Sequence, residues 1–535
     1  VLLVHLKAFP ISAVAPACLI AWARRDPGLR DVSFDGVEFD QADSADKIAR
    51  AILARGPRLV GFSCYVWNYR ATRAAALRLK ELSPALPVIF GGPEVSGAAR
   101  KELERTPEID FICSGEGEET LRRLARSLFL GDGETSRVPG LVSRVDGEVR
   151  QTADAPLIDL EKTDSPYLTG LLDGDADVVV LETSRGCPFD CSFCDWGPKV
   201  VRYIPVDRLE AEFALLAGRT KSIMTTDADL TMNKKRGVKI LEAFLRATAG
   251  TDCVLTFELN PVFLAQEIVD VIARAPKKFG LACGIQSVRA EVLKNIDRTF
   301  DLERIEKNLT HLHDKVPDAV FMFSTIFGLP GDDLQGMRET VDWCLRWRPS
   351  LLRVNHPQVL PGTEMEKSAE ALGMTYQSEP PHQALRSGGM NAAELGAARE
   401  FAIHVALLMN LPAIYFELLG AARPEEAFGY VGAIEDWIAA LNAGAVRLPG
   451  AETWREIDGR LVSEIGDEAY TSIRGDVLLQ AALMHCARGV AQKRQRRAAA
   501  AAASRPVRPS TNREKSILTS STSRSRRSTR SRRTS

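Results

Sequence analysis

Long apolar runs are missing from this chain. No stretch of about 18 uncharged apolar residues occurs, so no membrane-spanning helix is expected. The opening Val1-Leu-Leu-Val-His-Leu-Lys7 has neither the basic start nor the small-residue cleavage site of a signal peptide, and it reads as a first strand. Net charge is also nearly absent, at −1 over 535 residues. That balance hides an asymmetry: from Lys493 onward fourteen Lys and Arg face Glu514 alone, which leaves the preceding residues near −14. A mildly acidic body offers no general attraction for nucleic acid, which is not an expected partner. Internal repeats are lacking. The ten cysteines are scattered, which suits a reducing compartment, so a cytoplasmic location is expected.

What is present is a run of three of those cysteines: Ser184-Arg-Gly-Cys-Pro-Phe-Asp-Cys-Ser-Phe-Cys-Asp-Trp-Gly197. Cys187, Cys191 and Cys194 stand in a C-x3-C-x2-C spacing. Thiolates are the usual ligands of iron–sulfur clusters, and three on one short loop can hold three irons of a cubane and leave the fourth open. A zinc site would call for a second ligand pair, and none lies nearby. Three unrelated buried thiols are the remaining reading.

Around this loop the chain alternates strand and helix. Residues 1–134 carry short apolar runs (Val1–Leu6, Val32–Phe39, Leu59–Ser63, Pro87–Phe90, Ile109–Cys113) separated by helical patterns, which predicts a doubly wound, Rossmann-like parallel sheet. Residues 135–175 read as a linker with a short hairpin around Leu141–Arg150. A second series over 176–374 has six strand candidates: Val178–Thr183, Ser222–Thr226, Val254–Leu259, Phe279–Gln286, Val320–Phe327 and Leu352–Val359. Residues 375–490 turn helical, most clearly at Ala392–Leu408 and Ala433–Leu441. The Ala-, Ser-, Thr- and Arg-rich stretch 491–535 is expected to be disordered. Ligands of open parallel sheets bind at the carboxyl ends of the strands. There the first series places Ser63-Cys-Tyr-Val-Trp-Asn68, Gly91-Gly-Pro-Glu94 and Gly115-Glu-Gly-Glu118.

These features together resemble the cobalamin-dependent radical S-adenosylmethionine (radical SAM) enzymes. The resemblance covers about residues 1–370 and implies a cobalamin-binding domain, a partial (β/α)6 barrel and a helical C-terminal region. It implies a [4Fe-4S] cluster on Cys187, Cys191 and Cys194, with Phe193 as the aromatic before the third cysteine. Cobalamin would lie against Ser63, Tyr65, Trp67, Asn68, Gly91, Gly92, Pro93, Gly115, Glu116 and Gly117. S-adenosylmethionine would be held by Asp227 in Thr225-Thr-Asp-Ala-Asp229, by Glu258, and by Gln286, Ser287 and Arg289 in the segment Cys283–Arg298. Ile326-Phe-Gly-Leu-Pro-Gly-Asp-Asp333 and Leu360-Pro-Gly-Thr-Glu364 resemble the last two turns of the barrel. One departure concerns the lower face of the corrin. Many cobalamin domains have Asp-x-His-x-x-Gly after the first strand, whereas here Lys7-Ala-Phe-Pro-Ile-Ser-Ala-Val-Ala-Pro16 has no histidine. Cobalamin without a protein imidazole is the expectation, with Trp67 as cover.

The activity implied is methyl transfer to an unactivated carbon, or to phosphorus, of a small-molecule or natural-product substrate. Methylcobalamin would carry the methyl group and a 5′-deoxyadenosyl radical would activate the substrate, with a reductant such as flavodoxin or ferredoxin as electron donor. A rearrangement, cyclisation or oxidation with the same cofactors stays open, as does a non-catalytic cobalamin-binding or redox-sensing role. His356 is a candidate base at the barrel mouth; a structural histidine fits as well. Tyr430, Trp437 and Trp454 are candidate substrate contacts.

Overall fold

The computed structural model describes residues 1–410, apart from 9, 10, 12, 299 and 348. Most of the segment 375–490, including the Ala433–Leu441 helix with Tyr430, Trp437 and Trp454, and the whole stretch 491–535 lie outside the described residues.

Two parallel sheets carry the molecule. In the first, β1 (Leu2–Lys7), β2 (Asp35–Asp40), β3 (Val60–Ser63), β4 (Val88–Gly91) and β5 (Phe111–Cys113) lie in the order β2-β1-β3-β4-β5. The order reverses between β1 and β3, the position where open α/β sheets open a crevice at their strand ends. β1, β3, β4 and β5 read as nearly continuous apolar runs because both faces are covered, whereas the edge strand β2 is mixed and partly exposed. Leu2, Val4, Leu6, Val60 and Val88 pack on one side, and Leu3, Ile89 and Cys113 on the other. The hairpin expected in the linker instead extends this sheet: β6 (Leu141–Val145) and β7 (Glu148–Gln151) add to β5 in antiparallel sense. Its turn places Asp146 at φ 53° and Gly147 at φ 84°, the two positive values that a tight hairpin turn needs.

The second sheet begins with β8 (Val178–Leu181). A two-residue antiparallel ladder, β9 (Ser184–Arg185) and β10 (Arg202–Tyr203), then brackets the cysteine loop. Five further strands follow, β11 (Ser222–Thr225), β12 (Val254–Leu259), β13 (Phe279–Gln286), β14 (Val320–Ile326) and β15 (Leu351–Asn355). The six long strands pair in chain order, all parallel, from β8 at one edge to β15 at the other. This is the open six-stranded arrangement that the sequence predicts. Segment 375–386 departs from expectation. It forms a small antiparallel pair, β16 (Thr375–Tyr376) and β17 (Ala384–Arg386), too short to leave a periodic signal, before the helix Ala392–Asn410.

Burial along the second sheet alternates in an instructive way. In β12, Leu255, Phe257 and Leu259 are fully buried against the surrounding helices, whereas Thr256 and Glu258 on the opposite face are only partly covered. β13 repeats the pattern with Leu281, Cys283 and Ile285 against Ala282, Gly284 and Gln286. A filled barrel core would bury the inner row. Here the inner row is the more open one, which leaves a lumen to be occupied.

The carboxyl-end loops of the two sheets meet. The loop after β5 reaches the loop after β8, where Glu118 pairs with Arg185 at 2.7 Å. The loop after β4 reaches the far edge, where Glu94 bonds His382 at 2.8 Å. A Cβ on Gly97 would fall 2.3 Å from the Pro361 carbonyl oxygen. Two adjacent loops of the first sheet thus touch both edges of the second, and its strand-end face sits across the mouth of the half-barrel. No helix among the described residues is long and apolar enough to cross a membrane.

Candidate active site between two strand-end faces

The cysteine loop is fixed by backbone hydrogen bonds and by two phenylalanines, Phe189 stacked on Phe263 and Phe193 packed on a buried cluster. Cys187 N–H donates to the Pro198 carbonyl at 3.0 Å and Ser192 N–H to Ile296 at 2.9 Å, while the Ser192 carbonyl accepts from Met365 N–H at 2.8 Å. Cys187 and Cys191 are partly covered and Cys194 is exposed, and all three thiols are free. No three side chains among the described residues converge on a single point as ligands of one ion would. Thiolates that each bind a different corner of a cubane do not require such convergence. Phe193 packs against the buried cluster that contains Val292, Leu293, Ile296, Leu329 and Met365.

A cavity of about 380 Å³ opens beside the loop, walled by Phe193, Gln286, Ser324, Ile326, Asn355 and His356 among others. Gln286 reaches it through a bulge: the register of β13 against β14 slips between Gly284 and Gln286, and Gln286 takes φ 67°. Bulges re-aim a side chain at a strand end, and the Gln286 Oε1 is buried without a hydrogen-bond partner. Asp227 is fully buried; its Oδ1 accepts from Thr183 Oγ1 at 2.7 Å and from the Ser184 hydroxyl. Its Oδ2 has no partner among the described residues. Burial pushes the Asp227 carboxyl up, against the hydroxyl donors. Asp229, by contrast, accepts from Thr231 and from Asn260 N–H and is spent on its own turn. Glu258 makes no hydrogen bond through its carboxyl among the described residues, and burial raises it to about 7.

Two expected contacts go elsewhere. Arg289 is tied to Asp333 and Glu339, at 2.8 Å each, on the outer side of the strand. Ser287 is completely buried and accepts from Arg289 N–H at 3.2 Å, capping the next turn. The arginine beside the loop is Arg298, whose Nη1 lies 3.5 Å from the Cys191 sulfur and whose Nη2 donates to the Gly284 carbonyl. Arg298 lies twelve residues past Gln286 in sequence, and no helical or strand period links the two. Only the turn after the helix Ala290–Asn295 brings it back. His356 is engaged through Nε2 with the Ala384 carbonyl at 2.8 Å and packs on Phe327, with Nδ1 buried and unpartnered. Burial lowers its pKa from the ordinary imidazole value, against the hydrogen bond to Ala384, which raises it.

In the first domain, Asn68 is buried and wholly committed. It donates to the Leu6 and Ser63 carbonyls and accepts from Tyr65 N–H, all within 3.1 Å. It therefore builds the loop and is not free for a ligand. Tyr65 stacks on Trp67 with ring centroids 4.6 Å apart and planes 10° apart. Trp67 remains 49% exposed, a large flat surface at the strand ends. His5 lies under Tyr65, edge to face at 5.9 Å, so its ring is covered. Gly92, at φ 115°, is required by the chain itself, since a Cβ there would sit 2.4 Å from the Cys64 carbonyl. Gly91 is an ordinary strand end and Pro93 opens the short helix Pro93–Ser96. Gly115 differs: at φ 83° its missing Cβ points into open space. Gly117 starts the helix Gly117–Leu130. Glu116 is not open to a ligand either; its carboxylate is held by Arg202 and accepts from Ile158 N–H.

Comparison with known proteins matches this layout. The family description "Radical SAM superfamily" covers residues 181–344 and "B12 binding domain" covers residues 18–125. The chain thus carries a region matching the B12-binding model ahead of a region matching the radical SAM model. The 2-(S-pantetheinyl)-carbapenam-3-carboxylate methyltransferase of Streptantibioticus cattleyicolor is 28% identical over 327 residues, 57% of this chain and 47% of that protein. The cobalamin-dependent radical SAM methyltransferase TokK of Streptomyces tokunonensis is 30% identical over 260 residues, 45% of this chain and 38% of that protein. The chain thus spans under half the length of both relatives. The cobalamin-dependent radical enzyme OxsB, solved with aqua-cobalamin and S-adenosylmethionine, shares the fold with TM-score 0.62 at 14% identity, over 93% of this chain and 80% of that one.

The residues present fit the family's cofactors. Free thiols on an anchored loop suit an iron–sulfur cluster. Unpartnered buried oxygens of Asp227 and Gln286 await donors, and buried polar atoms are rarely left so. The open face of Gly115 and the exposed Trp67 plate leave room for a broad, flat ring.

Proposed function

We propose that this radical SAM chain is a methyltransferase acting on an unactivated carbon, or on phosphorus, of a small-molecule or natural-product substrate. The observation that carries it is the apposition of two strand-end faces, one with the exposed Trp67 and the open turn at Gly115 and one with the cysteine loop beside an open lumen. The names of the two relatives, both methyltransferases, support the reaction type. When bound, the cluster supplies the electron that cleaves S-adenosylmethionine, and cobalamin supplies the methyl carrier. The protein's task is to orient three reactants and exclude water. Cys187, Cys191 and Cys194 hold the cluster. Asp227 and Glu258 accept from the amino group or ribose hydroxyls of S-adenosylmethionine, Gln286 lines its pocket, and Arg298 meets its carboxylate. Residues 1–134 form the cobalamin unit and 176–374 the barrel, with a flavodoxin- or ferredoxin-like protein as reductant.

Anaerobic reconstitution with iron, sulfide and hydroxocobalamin tests this reading. The expected result is a four-iron cluster and one retained corrin per chain, followed by label transfer from methyl-labelled S-adenosylmethionine to the corrin. Cluster and corrin without methyl transfer would redirect the reading to a rearrangement, cyclisation or oxidation. A cluster with no retained corrin would overturn it.

A further inference from the structure

The Gly115-Glu-Gly-Glu118 turn does something that the family comparison does not assign. Its two carboxylates leave the first domain and grip two arginines that flank the cysteine loop. Glu118, with its side chain 5% exposed, pairs with Arg185 at 2.7 Å, and Arg185 also takes Glu182 through Nε and Nη2 at 2.9 Å each. Glu116 holds Arg202, which also donates to the Ile158 carbonyl at 2.8 Å. Arg185 and Arg202 are directly opposed in the β9–β10 ladder. Two like charges so placed repel, and the two glutamates offset that repulsion. Arg185 stands two residues before Cys187, so the ladder forms the base of the cluster loop.

We infer that Glu116 and Glu118 are positioning residues that set the corrin unit's distance and angle to the cluster loop through Arg202 and Arg185. The inference rests on the proposed two-cofactor function. Gly115 presents the open face and the next residue grips the barrel, so one turn both faces the ring and fixes its distance from the cysteines. The other contact, Gly97 against Pro361 and Gly362 with the Glu94–His382 pair, anchors the opposite edge. The Arg pair meets the cysteine loop at its base, with Arg185 two residues before Cys187. Displacing reactants by about an ångström can cost on the order of 100-fold in rate, which is how such a contact would be felt.

The test uses reconstituted full-length protein with Glu118→Gln, Arg185→Lys and the exchanged pair Glu116→Arg with Arg202→Glu. Pulsed electron paramagnetic resonance reads the spin–spin distance between cob(II)alamin and the reduced cluster. Product analysis gives the ratio of methylated product to 5′-deoxyadenosine. In Glu118→Gln the distance distribution is expected to broaden and the ratio to fall about tenfold or more, with iron and corrin content unchanged. Arg202→Glu alone should behave likewise, and the exchanged pair should recover part of the loss. An unchanged distance and ratio in Glu118→Gln, with both cofactors bound, would overturn the inference while leaving the two-cofactor function intact. If wild-type protein retains no corrin, that function falls instead. Amide exchange across residues 184–203 then decides the clamp: faster exchange in Glu118→Gln supports it, and identical exchange removes it.

Discussion

The two strand-end faces treat their polar side chains in opposite ways. On the first sheet almost every polar group is spent inside the protein: Asn68 makes three hydrogen bonds to backbone, and Glu116 and Glu118 hold arginines of the barrel. What it offers outward is shape, an exposed tryptophan plate and a turn without a side chain. In the barrel the inner row keeps polar atoms in reserve: among the described residues Asp227 Oδ2 and Gln286 Oε1 have no partner and the Glu258 carboxyl makes no hydrogen bond. A large, mostly hydrophobic ring can be held by surface and backbone; a small zwitterionic nucleoside needs donors and acceptors aimed at it. The contrast separates residues whose loss should damage the fold from residues whose loss should damage only binding.

The largest expected effect is on the cluster. Cys191→Ala removes one thiolate and should leave the protein folded but unable to hold four irons, read as iron content and as loss of the visible absorption after reconstitution. Full iron retention would mean that the loop is not the ligand set. Corrin retention in the same variant should persist, because nothing in the first sheet depends on that thiol.

The sharpest form of the contrast is the pair Asn68→Leu and Gln286→Leu. Removing Asn68 strands two backbone carbonyls and an amide in a buried turn, at about 1–3 kcal/mol each, so its chemical-denaturation midpoint should drop. Replacing Gln286 removes a buried acceptor that has no partner, which should leave stability level or slightly higher. Its cost should appear as about tenfold or greater weakening of S-adenosylmethionine binding by calorimetry. Both variants losing stability equally would erase the distinction.

A smaller effect is expected at the glycine turn. Gly115→Ala places a side chain at φ 83°, a strained conformation worth roughly 1–2 kcal/mol, and fills part of the open face. Corrin retention on a desalting column should fall more than the thermal midpoint does. Gly56→Ala, also at positive φ (60°) and also in open space, is the control, with the same strain and unchanged corrin binding.

Much of this architecture is legible in the amino-acid sequence. Apolar runs of strand length set between helical patterns located both sheets, most plainly in the first, where strands buried on both faces carry a strong compositional signal. The cysteine spacing located the loop. Three things were not legible. β9, β10, β16 and β17 are two or three residues long, too short for any period. Arg289 and Arg298 look alike in sequence, and only the path of the chain after Gln286 decides which one approaches Cys191 and which one faces Asp333. The Gly-Glu-Gly-Glu turn showed its glycines but not its carboxylates' destinations, because ion pairs between distant segments leave no local pattern. In each case the missing information is long-range geometry.

The smallest expected effect concerns Glu258 and the sign of a pH dependence. Its carboxyl is raised from 4.5 to about 7, first by burial, with Asp229 adding to the rise and Arg353 and Arg298 opposing it. The unfolded chain ionises at the lower value and the folded chain at the higher one. Between them the folded state binds the extra proton, so stability falls as pH climbs from about 4.5 to 7 and then levels. The carboxyl is partly solvated, so the loss should be modest, on the order of 1–2 kcal/mol after screening. Glu258→Gln should match wild type near pH 5 and exceed it near pH 8 in urea denaturation. S-adenosylmethionine binding should reverse that order. If Glu258 accepts from the amino group or ribose, wild-type affinity rises through pH 7 as the carboxylate forms, and the Gln variant loses this rise. A residue that merely fills space would change stability with pH and leave the binding curve flat.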